Sequence, residues 1–479
     1  MSRFIIPLSC AGLGALLAVS SVTAEDTAQD DTPWAERTTA LGVIKEQPSG
    51  VLDKQALDHL IDVGEKLFTA KFMVADGAGR PGATQAIIPT KIRHRRTANY
   101  ARISGPDAAA CSSCHNEPLI GGAGDFVTNV FVSEGFTNAD FDTSDPQFSN
   151  ERGTNHLFGA GLIELLAREM SADLAAIREK ALLDAADSGE PVTLALTSKS
   201  INFGKITAEP DGLVDLTKID GVDTDLVVRP FSQKGVMTSL RQFTVNAMNH
   251  HHGMQPVERF GKRWTASADF DDDGKLDEMS AGDEAALVAW QATLHPPLAK
   301  EPEDARWQGA AAKGEQLFNT MGCAECHRPA LPLKSLKFAD PGPYDVSGTL
   351  NTRDVKVAAT YDLALMEWAK TLPRNKDGHV MVPLFGDLKR HKMTDRSVNA
   401  LGNELLSQRF VGRDIFMTAE LWGLASTAPY GHRNDFGTLD EIIRAHGGSG
   451  RKSRDAYVKG AAEDRSHLIA YLKTLVLEE

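Results

Sequence analysis

Cysteine, aromatic side chains and long apolar runs are all scarce in this chain. Its 479 residues include five cysteines, and 7% of them are aromatic. A scaffold held together by many disulfide bonds is therefore excluded, because such scaffolds are short and rich in cysteine. No run of about 18 apolar residues occurs after the first stretch of the chain, so we expect no membrane span beyond that stretch.

Positive charge is also in short supply. The chain has 51 lysines and arginines against 65 aspartates and glutamates, which gives a formal net charge of −14. A surface of that sign repels nucleic acid and anionic lipid, so we expect neither as a partner. Acidity of this degree is common among soluble proteins and identifies no partner by itself.

The first 24 residues have the pattern of a secretory signal peptide. Arg3 supplies a positive charge, residues 4–19 are mostly apolar, and residues 22–24, Val-Thr-Ala, form a small-residue cleavage site. We expect this segment to be removed, although a retained membrane anchor has a similar pattern. Removal also takes away Cys10, which leaves four cysteines in the mature chain.

Those four cysteines form two copies of one short motif. Residues 111–115 read Cys-Ser-Ser-Cys-His, and residues 323–327 read Cys-Ala-Glu-Cys-His. C-x-x-C-H is the attachment site of c-type haem, because its two thiols reach both vinyl groups of one porphyrin and its imidazole then lies under the iron. The alternative is one zinc ion shared by both cysteine pairs. We predict two covalently bound haem c groups. Cys111 and Cys114 would attach the first, with His115 as its iron ligand. Cys323 and Cys326 would attach the second, with His327 as its iron ligand.

A short sequence repeat indicates that the chain has two related halves. Residues 64–68, Gly-Glu-Lys-Leu-Phe, recur as Gly-Glu-Gln-Leu-Phe at residues 314–318, and the apolar residues around them have helical spacing. Residues 190–230 alternate like a small β-hairpin or meander. The charged stretch 299–306 follows two prolines and indicates a linker, and residues 333–360 indicate loops. The pattern as a whole predicts a mainly helical chain.

The combination of Gly-Glu-x-Leu-Phe, C-x-x-C-H and Leu-Ile-Ala-Tyr-Leu-Lys-Thr-Leu at residues 468–475 resembles a class I cytochrome c domain. Residues 416–441 contain Phe-Met-Thr-Ala-Glu-Leu-Trp-Gly-Leu, Thr-Ala-Pro-Tyr-Gly-His and Thr-Leu-Asp-Glu. These segments are similar to the bacterial di-haem cytochrome c peroxidase superfamily, and most of all to its di-haem oxidoreductase, or peroxidase-like, branch. That branch also has segments like residues 121–125, Gly-Gly-Ala-Gly-Asp, and residues 157–164, Leu-Phe-Gly-Ala-Gly-Leu-Ile-Glu.

The resemblance implies a mainly α fold with two class I cytochrome c-like domains, long loops and a small β insertion. It implies a signal peptide at 1–24, an N-terminal haem domain with insertions at 25–298 and a C-terminal haem domain at 299–479. It also implies a bacterial periplasmic location, because c-type haem is attached on that side of the membrane. The likeness covers most of residues 55–479 and weakens across 180–228.

For the C-terminal haem, the family takes a second axial ligand, usually methionine, from a helix that begins shortly after the Tyr-x-His motif. Here His446 stands at that place, and no methionine follows Met417. Thr438 and Glu441 predict a capping box at the helix start, which puts His446 on a face shared with aliphatic residues. We expect a six-coordinate haem with two histidine ligands; the alternative is a core histidine bonded to a carbonyl.

Two further residues of this region are candidates by resemblance. His432, in the Tyr-x-His motif, would brace a haem edge or a propionate of the C-terminal haem. Trp422 would be an electron relay between the haems, although a lone tryptophan in an apolar segment is more often part of the core.

The N-terminal haem takes His115 as its proximal ligand. Bacterial peroxidases of the family often have a releasable histidine in the loop after the first haem motif, but this chain has no histidine between His115 and His156. The iron is then either already open, as peroxide chemistry requires, or closed by another group.

Two segments supply candidate groups for that pocket. One segment contains Glu164. The other, residues 239–254, resembles a stretch in which family members have a glutamine followed by an acid. In this chain a run of histidines stands where the family has that acid. A peroxidase needs a base that takes a proton from peroxide and returns it to the leaving oxygen, and imidazole or a desolvated carboxylate can do this near neutral pH. An arginine could polarise the O–O bond. The alternative for the histidine run is an exposed loop or an adventitious metal site. The catalytic candidates are His252, His251, Glu164, Gln242 and Arg241.

Residues 269–277 follow the pattern of an EF-type calcium loop, with acidic residues at positions 1, 3, 5 and 9 and glycine at position 6. Position 12 is Ser280 rather than glutamate, so Glu278 or Asp283 would complete the shell. We predict one calcium ion, in line with the family, which often holds one between its domains; the alternative is an acidic turn without an ion. The predicted ligands are Asp269, Asp271, Asp273 and Asp277.

The resemblance favours an enzyme, a periplasmic di-haem c-type oxidoreductase of the peroxidase type. Electrons from a small donor protein would enter at the C-terminal haem and reach the N-terminal haem, where hydrogen peroxide or another small oxidant is reduced. Two alternatives stay open. One is oxidation of a protein or organic substrate by the same fold, and the other is a pure electron-transfer protein with two six-coordinate haems.

Overall fold

The structure is a computed structural model that describes residues 41–79, 89, 91, 109–131, 149–346, 348–404 and 408–477. The predicted signal peptide and Cys10 lie outside these residues. Within the described ranges, no helix combines the length and the apolar character that a membrane crossing needs.

The described residues form a mixed, mainly helical fold, as the sequence predicts. The helices are α1 (Lys54–Thr69), α2 (Ala160–Ser188), α3 (Leu240–Ala247), α4 (Val257–Phe260), α5 (Lys262–Thr265), α6 (Ala281–Thr293), α7 (Ala305–Thr320), α8 (Leu439–Arg444), α9 (Arg451–Lys459) and α10 (Ala462–Leu472). The strands are β1 (Gly50–Val51), β2 (Gly124–Phe131), β3 (Ser149–Thr154), β4 (Val192–Ser198), β5 (Ile201–Ala208), β6 (Val214–Asp215), β7 (Leu331–Leu333), β8 (Lys337–Asp340), β9 (Ala359–Asp362), β10 (Val380–Val382), β11 (Arg390–Lys392) and β12 (Ile415–Met417). The division into two cytochrome c-like domains stays a prediction.

The short sequence repeat marks two helix crossings of the same kind. Helix α1 packs on α6, and α7 packs on α10. A Cβ atom at Gly64 of α1 would lie 2.1 Å from the carbonyl oxygen of Ala286 on α6. One at Gly314 of α7 would lie 2.0 Å from the carbonyl oxygen of His467 on α10. Glycine is required at both crossings because any side chain there would collide with the partner backbone. Each pair stands beside one haem motif, since α1 contacts the first and α7 leads into the second.

The predicted β meander is present as a three-stranded antiparallel sheet. Strand β5 lies between β4 and β6, and Thr207 of β5 is opposite both Thr193 and Asp215. The sheet packs on the long helix α2. Leu196 and Phe203 are fully buried, as alternation along half-buried strands requires.

Residues 333–360 were predicted to be loops, and this prediction is wrong in part. Strands β8 and β9 form an antiparallel pair there, and β1 joins β9 in parallel with Gly50 opposite Ala359. Residues near the start of the described chain therefore complete a sheet of the C-terminal half. The sequence hides these strands because they are short and separated by a glycine- and proline-rich stretch.

Apolar side chains form two main clusters, one around each helix pair. The larger cluster joins α1, α2, α6 and the small sheets, and it includes Trp422 from the C-terminal half. The smaller cluster joins α7, α8, α9 and α10 through side chains such as Phe318, Tyr457 and Leu468, and Cys323 packs against it. Both haem motifs thus lie at the edge of an apolar core.

Candidate functional site

Each C-x-x-C-H motif begins in a 3₁₀ turn, Cys111–Ser113 and Cys323–Glu325. In such a turn, side chains three residues apart lie above one another, so the two thiols of a motif project from one side. The four cysteines are half-buried and free of disulfide bonds. In the part of the chain that the structure describes, no cluster able to hold a metal ion contains two cysteines. The zinc site shared by four cysteines is therefore not formed.

The proximal imidazoles are oriented by backbone carbonyls. Nδ1 of His115 lies 3.2 Å from the carbonyl oxygen of Gly122, and Nδ1 of His327 lies 3.2 Å from that of Phe385. A carbonyl can only accept, so Nδ1 carries the proton and Nε2 keeps the lone pair that binds a metal. Burial lowers the pKa of both imidazoles to about 4, so both are neutral at pH 7, as a ligand must be. Both histidines fit the proximal role.

His446 faces His327, as the sequence predicts. The two ring centres are 6.4 Å apart and the rings are inclined by 56°. Two imidazoles that bind one metal from opposite sides, with metal–nitrogen bonds of about 2 Å, have ring centres about 6 Å apart. Nδ1 of His446 donates to the carbonyl oxygen of Ile442 (2.7 Å), so here too Nε2 keeps its lone pair. The spacing and the tautomers fit a haem iron between two histidines.

The helix that precedes His446 is short, and a capping box fixes its start. The predicted capping box is present: Thr438 Oγ1 accepts from the N–H of Glu441 (3.2 Å), and the Glu441 carboxylate accepts from the N–H of Thr438 (2.9 Å). Helix α8 ends at Arg444, and two glycines follow His446. This cap fixes where α8 begins and therefore which face His446 occupies.

His432 lies in a buried polar cluster that joins the two halves of the chain. Its ring packs on Phe416 with ring centres 4.3 Å apart, and its Nε2 is 3.6 Å from Oε1 of the buried Glu404. Its carbonyl oxygen accepts from the N–H of Gly153 on β3, which follows the first haem motif. Burial, aided by nearby cations, lowers the pKa of His432 to about 3. Its role at a haem edge stays a prediction, and its position beside β3 was not foreseen.

The histidine run lies beside the first haem motif. Helix α3 continues into a π-helical turn, Met248–His252, a local widening that is common at functional sites. The buried His252 places Nε2 3.4 Å from Sγ of Cys111, and its ring centre is 5.5 Å from that of Phe72. Burial and then the charge of His251 lower the pKa of His115, while the bond to Gly122 opposes the change. The run is therefore packed against the motif, whereas the alternative expected an exposed loop.

Arg241 is held in an ion network rather than presented to an open site. Its guanidinium bonds both carboxylate oxygens of Glu258, Oδ2 of Asp340 (2.7 Å) and the carbonyl oxygen of Ala281 (3.1 Å). These buried partners raise the pKa of Arg241 well above its usual value even though burial opposes this. A guanidinium with these partners is a structural cation. The predicted role of Arg241 in polarising the O–O bond of peroxide stays a prediction.

Glu164 and Gln242 are also engaged in the framework that supports α3. Glu164 pairs with Arg168 and accepts from the N–H of Leu240 (2.7 Å), while burial raises its pKa to about 7. Oε1 of Gln242 accepts from the N–H of Thr238 (2.7 Å). These bonds fix the start of α3, which leaves the histidine run as the part of the predicted set that reaches the haem motif.

Trp422 is buried, and hydrogen bonds connect it to segments beside both motifs. On the side of the first motif, the ring of His156 donates to the carbonyl oxygen of Trp422 (3.1 Å), and the next N–H after His156 donates to the carbonyl oxygen of Gly121 in the loop after His115. On the side of the second motif, the N–H of the residue before Trp422 donates to the carbonyl oxygen of Leu384, and the carbonyl of the following residue accepts from His327. Its indole lies against Gly159, where a Cβ would come within 2.4 Å of it. This position suits the predicted relay as well as a core role.

Three of the four predicted calcium ligands come together. Asp269, Asp271 and Asp273 place carboxylate oxygens within 4.8 Å of one another. Asp271 is fully buried, and neither of its oxygens accepts a hydrogen bond from any described residue. Burial, and then the charges of Asp273 and Asp269, raise its pKa to about 7. A buried carboxylate aimed at two others is what a bound cation explains.

The fourth predicted ligand does not join the other three. Asp277 is not part of the carboxylate cluster, and its backbone has φ +48° with its N–H donating to Ala268 (2.9 Å). Burial and the charge of Asp271 raise the pKa of Glu278 well above its usual value, but Glu278 too lies outside the group of three carboxylates. Asp283 caps α6 by accepting from Ser280 (3.0 Å). The fourth ligand therefore stays a prediction.

Two titratable groups were not predicted from the sequence, the partly buried His391 and the fully buried Glu284. His391 lies beside the second motif with Nε2 2.8 Å from Oδ2 of Asp387, and although burial opposes it, this bond raises the pKa of His391 to about 10. Glu284 is a fully buried acid in α6. An acid within an alanine-rich helix was a signal that could have been read.

No family model matches this sequence, and no curated protein matches it. Hydrazine synthase of Kuenenia stuttgartiensis, in a structure pressurized with xenon, is 13% identical over 99% of this chain and 100% of that chain, with a TM-score of 0.36. A MauG-like protein associated with microbial copper homeostasis is 17% identical over 56% of this chain and 78% of that chain, with a TM-score of 0.27. At these TM-scores neither likeness carries an argument about fold or function.

Proposed function

We propose that this chain is a secreted, periplasmic di-haem c-type oxidoreductase of the peroxidase type. One haem is attached at each C-x-x-C-H motif, and each motif lies in its own cytochrome c-like domain. The observation that supports this most is the 6.4 Å separation of the His327 and His446 rings, because it fits two axial ligands of one iron. If His327 and His446 both bind its iron, this haem would exchange electrons without binding substrate and would act as an electron port.

The bound haems supply one-electron transfer and the redox chemistry of peroxide. The residues of the chain do the rest. His327 and His446 would hold the C-terminal haem, and two imidazoles would favour a lower potential than a histidine–methionine pair. His115 would hold the N-terminal haem, and Trp422 would lie on the route between them.

The N-terminal site is where peroxide would be reduced. Reduction of hydrogen peroxide breaks the O–O bond, takes up two electrons and two protons, and gives two waters. The electrons come from a small donor protein. His252, next to Cys111, would take the first proton from peroxide and return it to the leaving oxygen. His251 lies on the same turn and supports the same proton transfer.

The test uses the full chain produced in a host that attaches c-type haem. The mass of the denatured mature chain should correspond to two covalent haems. Paramagnetic resonance of the ferric protein should show one low-spin and one high-spin iron, and only the high-spin signal should change with hydrogen peroxide. His252→Ala should lower peroxide turnover by about 10²-fold, whereas His250→Ala on the same turn should not. Two low-spin irons that ignore peroxide would refute the proposal.

One observation also supports a second function. Because the histidine run is packed beside the first motif, one of its imidazoles could close the N-terminal iron. The chain would then be an electron carrier with two six-coordinate haems. The resonance spectra decide between these functions, since a carrier shows no high-spin iron.

A calcium ion at Asp269, Asp271, Asp273 and Glu278 forms part of the proposal. The oxygen-rich set suits calcium, and its charge would neutralise carboxylates that otherwise repel one another. Glu278 also accepts from the N–H of Gln255 (2.7 Å), three residues after His252. The ion would therefore support the chain that leaves the histidine run.

A further inference from the structure

Phe410 stands at the tip of a strained turn and is fully exposed. Two bonds close the turn, from the N–H of Gln408 to the carbonyl oxygen of Val411 (3.2 Å) and from the N–H of Val411 to that of Gln408 (2.8 Å). Both central residues are left-handed, Arg409 with φ +46° and Phe410 with φ +68°. Asparagine and glycine are the usual residues of such a turn, because larger side chains strain the backbone there. An exposed aromatic ring in this conformation calls for an explanation.

The base of the turn is anchored in the fold, whereas its tip is not. Val411 is buried in a small apolar cluster. The fully buried Lys234 donates to the carbonyl oxygens of Gly412 (2.9 Å) and Arg413 (2.8 Å), which follow the turn directly. Because the ring of Phe410 is fully exposed, it contributes nothing to the packing of the fold. The turn therefore holds an aromatic side chain out into the solvent from a fixed base.

The surface around the turn is basic, although the chain as a whole is acidic. Residues 389–413 contain six lysines and arginines and two acids, whereas the whole chain has a net charge of −14. Two of the six cations, Lys389 and Arg390, bind carboxylates of the segment after β6. Three others are exposed to solvent, namely Lys392, Arg396 and Arg413. We call Phe410 and these three residues the basic face.

Hydrogen bonds hold the basic face together and connect it to the segment that carries His446. Oγ1 of Thr394 donates to Oδ2 of Asp414 (2.6 Å), so the two segments that contribute the exposed cations lie side by side. The carbonyl oxygen of Met393 accepts from the N–H of Gly447 (3.0 Å), the residue after His446. A partner on the basic face would therefore lie beside the backbone that carries the proposed second axial ligand of the C-terminal haem.

We infer that the basic face is the docking surface for the electron donor, and that this donor is a small protein with an acidic surface around its redox centre. The inference rests on the proposed function, because it takes the C-terminal haem as the electron port. In the docked complex one electron passes from the reduced donor to the ferric haem, so the donor is oxidised and no bond forms or breaks.

Two features of the basic face support this partner. Charges of opposite sign steer a protein to a face and speed its association, and an aromatic side chain among arginines is typical of the centre of a protein interface. A small protein meets the basic face alone. A nucleic acid or an anionic membrane also meets the acidic remainder of the chain, which repels it.

The test uses the full chain with both haems and two forms of one probe. Native cytochrome c is basic, and succinylation of its lysines makes it acidic. A haem with two histidine ligands has a lower potential than the histidine–methionine haem of the probe, so the reduced protein should pass one electron to the ferric probe through the same face. At low salt the rate should be about tenfold higher with the succinylated probe and should fall as salt is added. Calorimetry should show binding of the succinylated probe only.

Substitutions on the basic face identify the residues responsible. Phe410→Gly removes the ring and suits the left-handed backbone, so the protein should stay folded and bind the succinylated probe about tenfold more weakly. Arg396→Glu combined with Arg413→Glu should lower the rate about tenfold and weaken its dependence on salt. The controls are Leu213→Ala, at an exposed apolar residue between β5 and β6, and Lys180→Glu, at an exposed cation of α2. Neither control should change the rate or the binding.

The outcomes separate the docking face from the proposed function. Faster transfer to native cytochrome c, no transfer to either probe, or variants of the basic face that behave like the wild type would each refute the docking inference alone. A wild type that binds and reduces the succinylated probe through the basic face but leaves peroxide untouched would refute the peroxidase function and keep the docking face. A mature chain without covalent haem would refute both.

Discussion

Asp271→Asn should stabilise the protein without calcium and destabilise it with calcium. Without the ion, Asp271 is a buried carboxyl close to Asp269 and Asp273, with no hydrogen bond from the described residues. Its pKa in the folded chain, about 7, lies above the ordinary 3.8. An acid whose pKa is raised in the folded state leaves the unfolding free energy unchanged at a pH below its unfolded pKa. It lowers the unfolding free energy as the pH rises from the unfolded pKa toward and through the folded pKa.

The magnitude follows from the same pKa. A rise from 3.8 to about 7 corresponds to about 4 kcal/mol of unfolding free energy, because each tenfold change in ionisation is worth about 1.4 kcal/mol. Asp269 and Asp273 are partly exposed, so solvent screening reduces the gain from Asp271→Asn to about 2 kcal/mol at pH 8. Calcium at 100 times its dissociation constant adds about 2.7 kcal/mol to the wild type. The asparagine variant lacks one anionic ligand and should lose most of that stabilisation.

The assay is thermal unfolding of the haem-loaded protein at pH 5 and pH 8, with calcium or with a chelator. In chelator, Tm of the variant should exceed that of the wild type at pH 8 and match it more closely at pH 5. In calcium the order should reverse. Asp272→Asn is the control, because Asp272 is exposed and pairs with Lys91 (3.0 Å). A wild type that melts at one temperature with and without calcium would refute the reasoning.

Three further outcomes are expected. His446→Ala should convert the C-terminal haem from low to high spin, and His467→Ala should not; an unchanged spectrum would show that another group binds that iron. Replacing Cys111 and Cys114 by serine should lower the mass of the mature chain by one haem and leave the low-spin signal in place; loss of that signal instead would reverse the assignment. Gly314→Ala should lower the unfolding free energy in urea by about 1–3 kcal/mol because its Cβ would meet the carbonyl of His467. Gly309→Ala, in open space on the same helix, should be neutral or stabilising, and equal effects would contradict the crossing argument.

Features set by short stretches of sequence could be predicted. The capping box of α8 and the face of His446 depend on residues 438–446 alone, and the structure has both. The repeat that contains Gly64 and Gly314 could be recognised in the sequence because each glycine lies at a helix crossing that tolerates no side chain. In these cases the residues that decide the geometry are close together in the chain.

Features that depend on distant parts of the chain could not be predicted. Arg241 was expected to face peroxide, but Asp340, about a hundred residues away, helps to bind its guanidinium. His432 is held by Gly153 through a backbone bond that no local pattern indicates. Asp277 matched the calcium pattern by position, but its backbone is left-handed and its carboxylate lies outside the cluster of Asp269, Asp271 and Asp273. Sequence spacing fixes neither long-range partners nor the local direction of a loop.

Strand β1 limits how this molecule can be cut and recombined. Gly50 and Val51 lie on the N-terminal side of the chain, yet they hydrogen-bond the edge of β9, and Gln47 reaches the carbonyl of Asp340 (3.0 Å). A cut within residues 299–306 would separate β1 from β9 and leave backbone groups of β9 open to pairing with other chains. Residues 47–52 must therefore stay with the C-terminal piece when one half of the chain is exchanged for another.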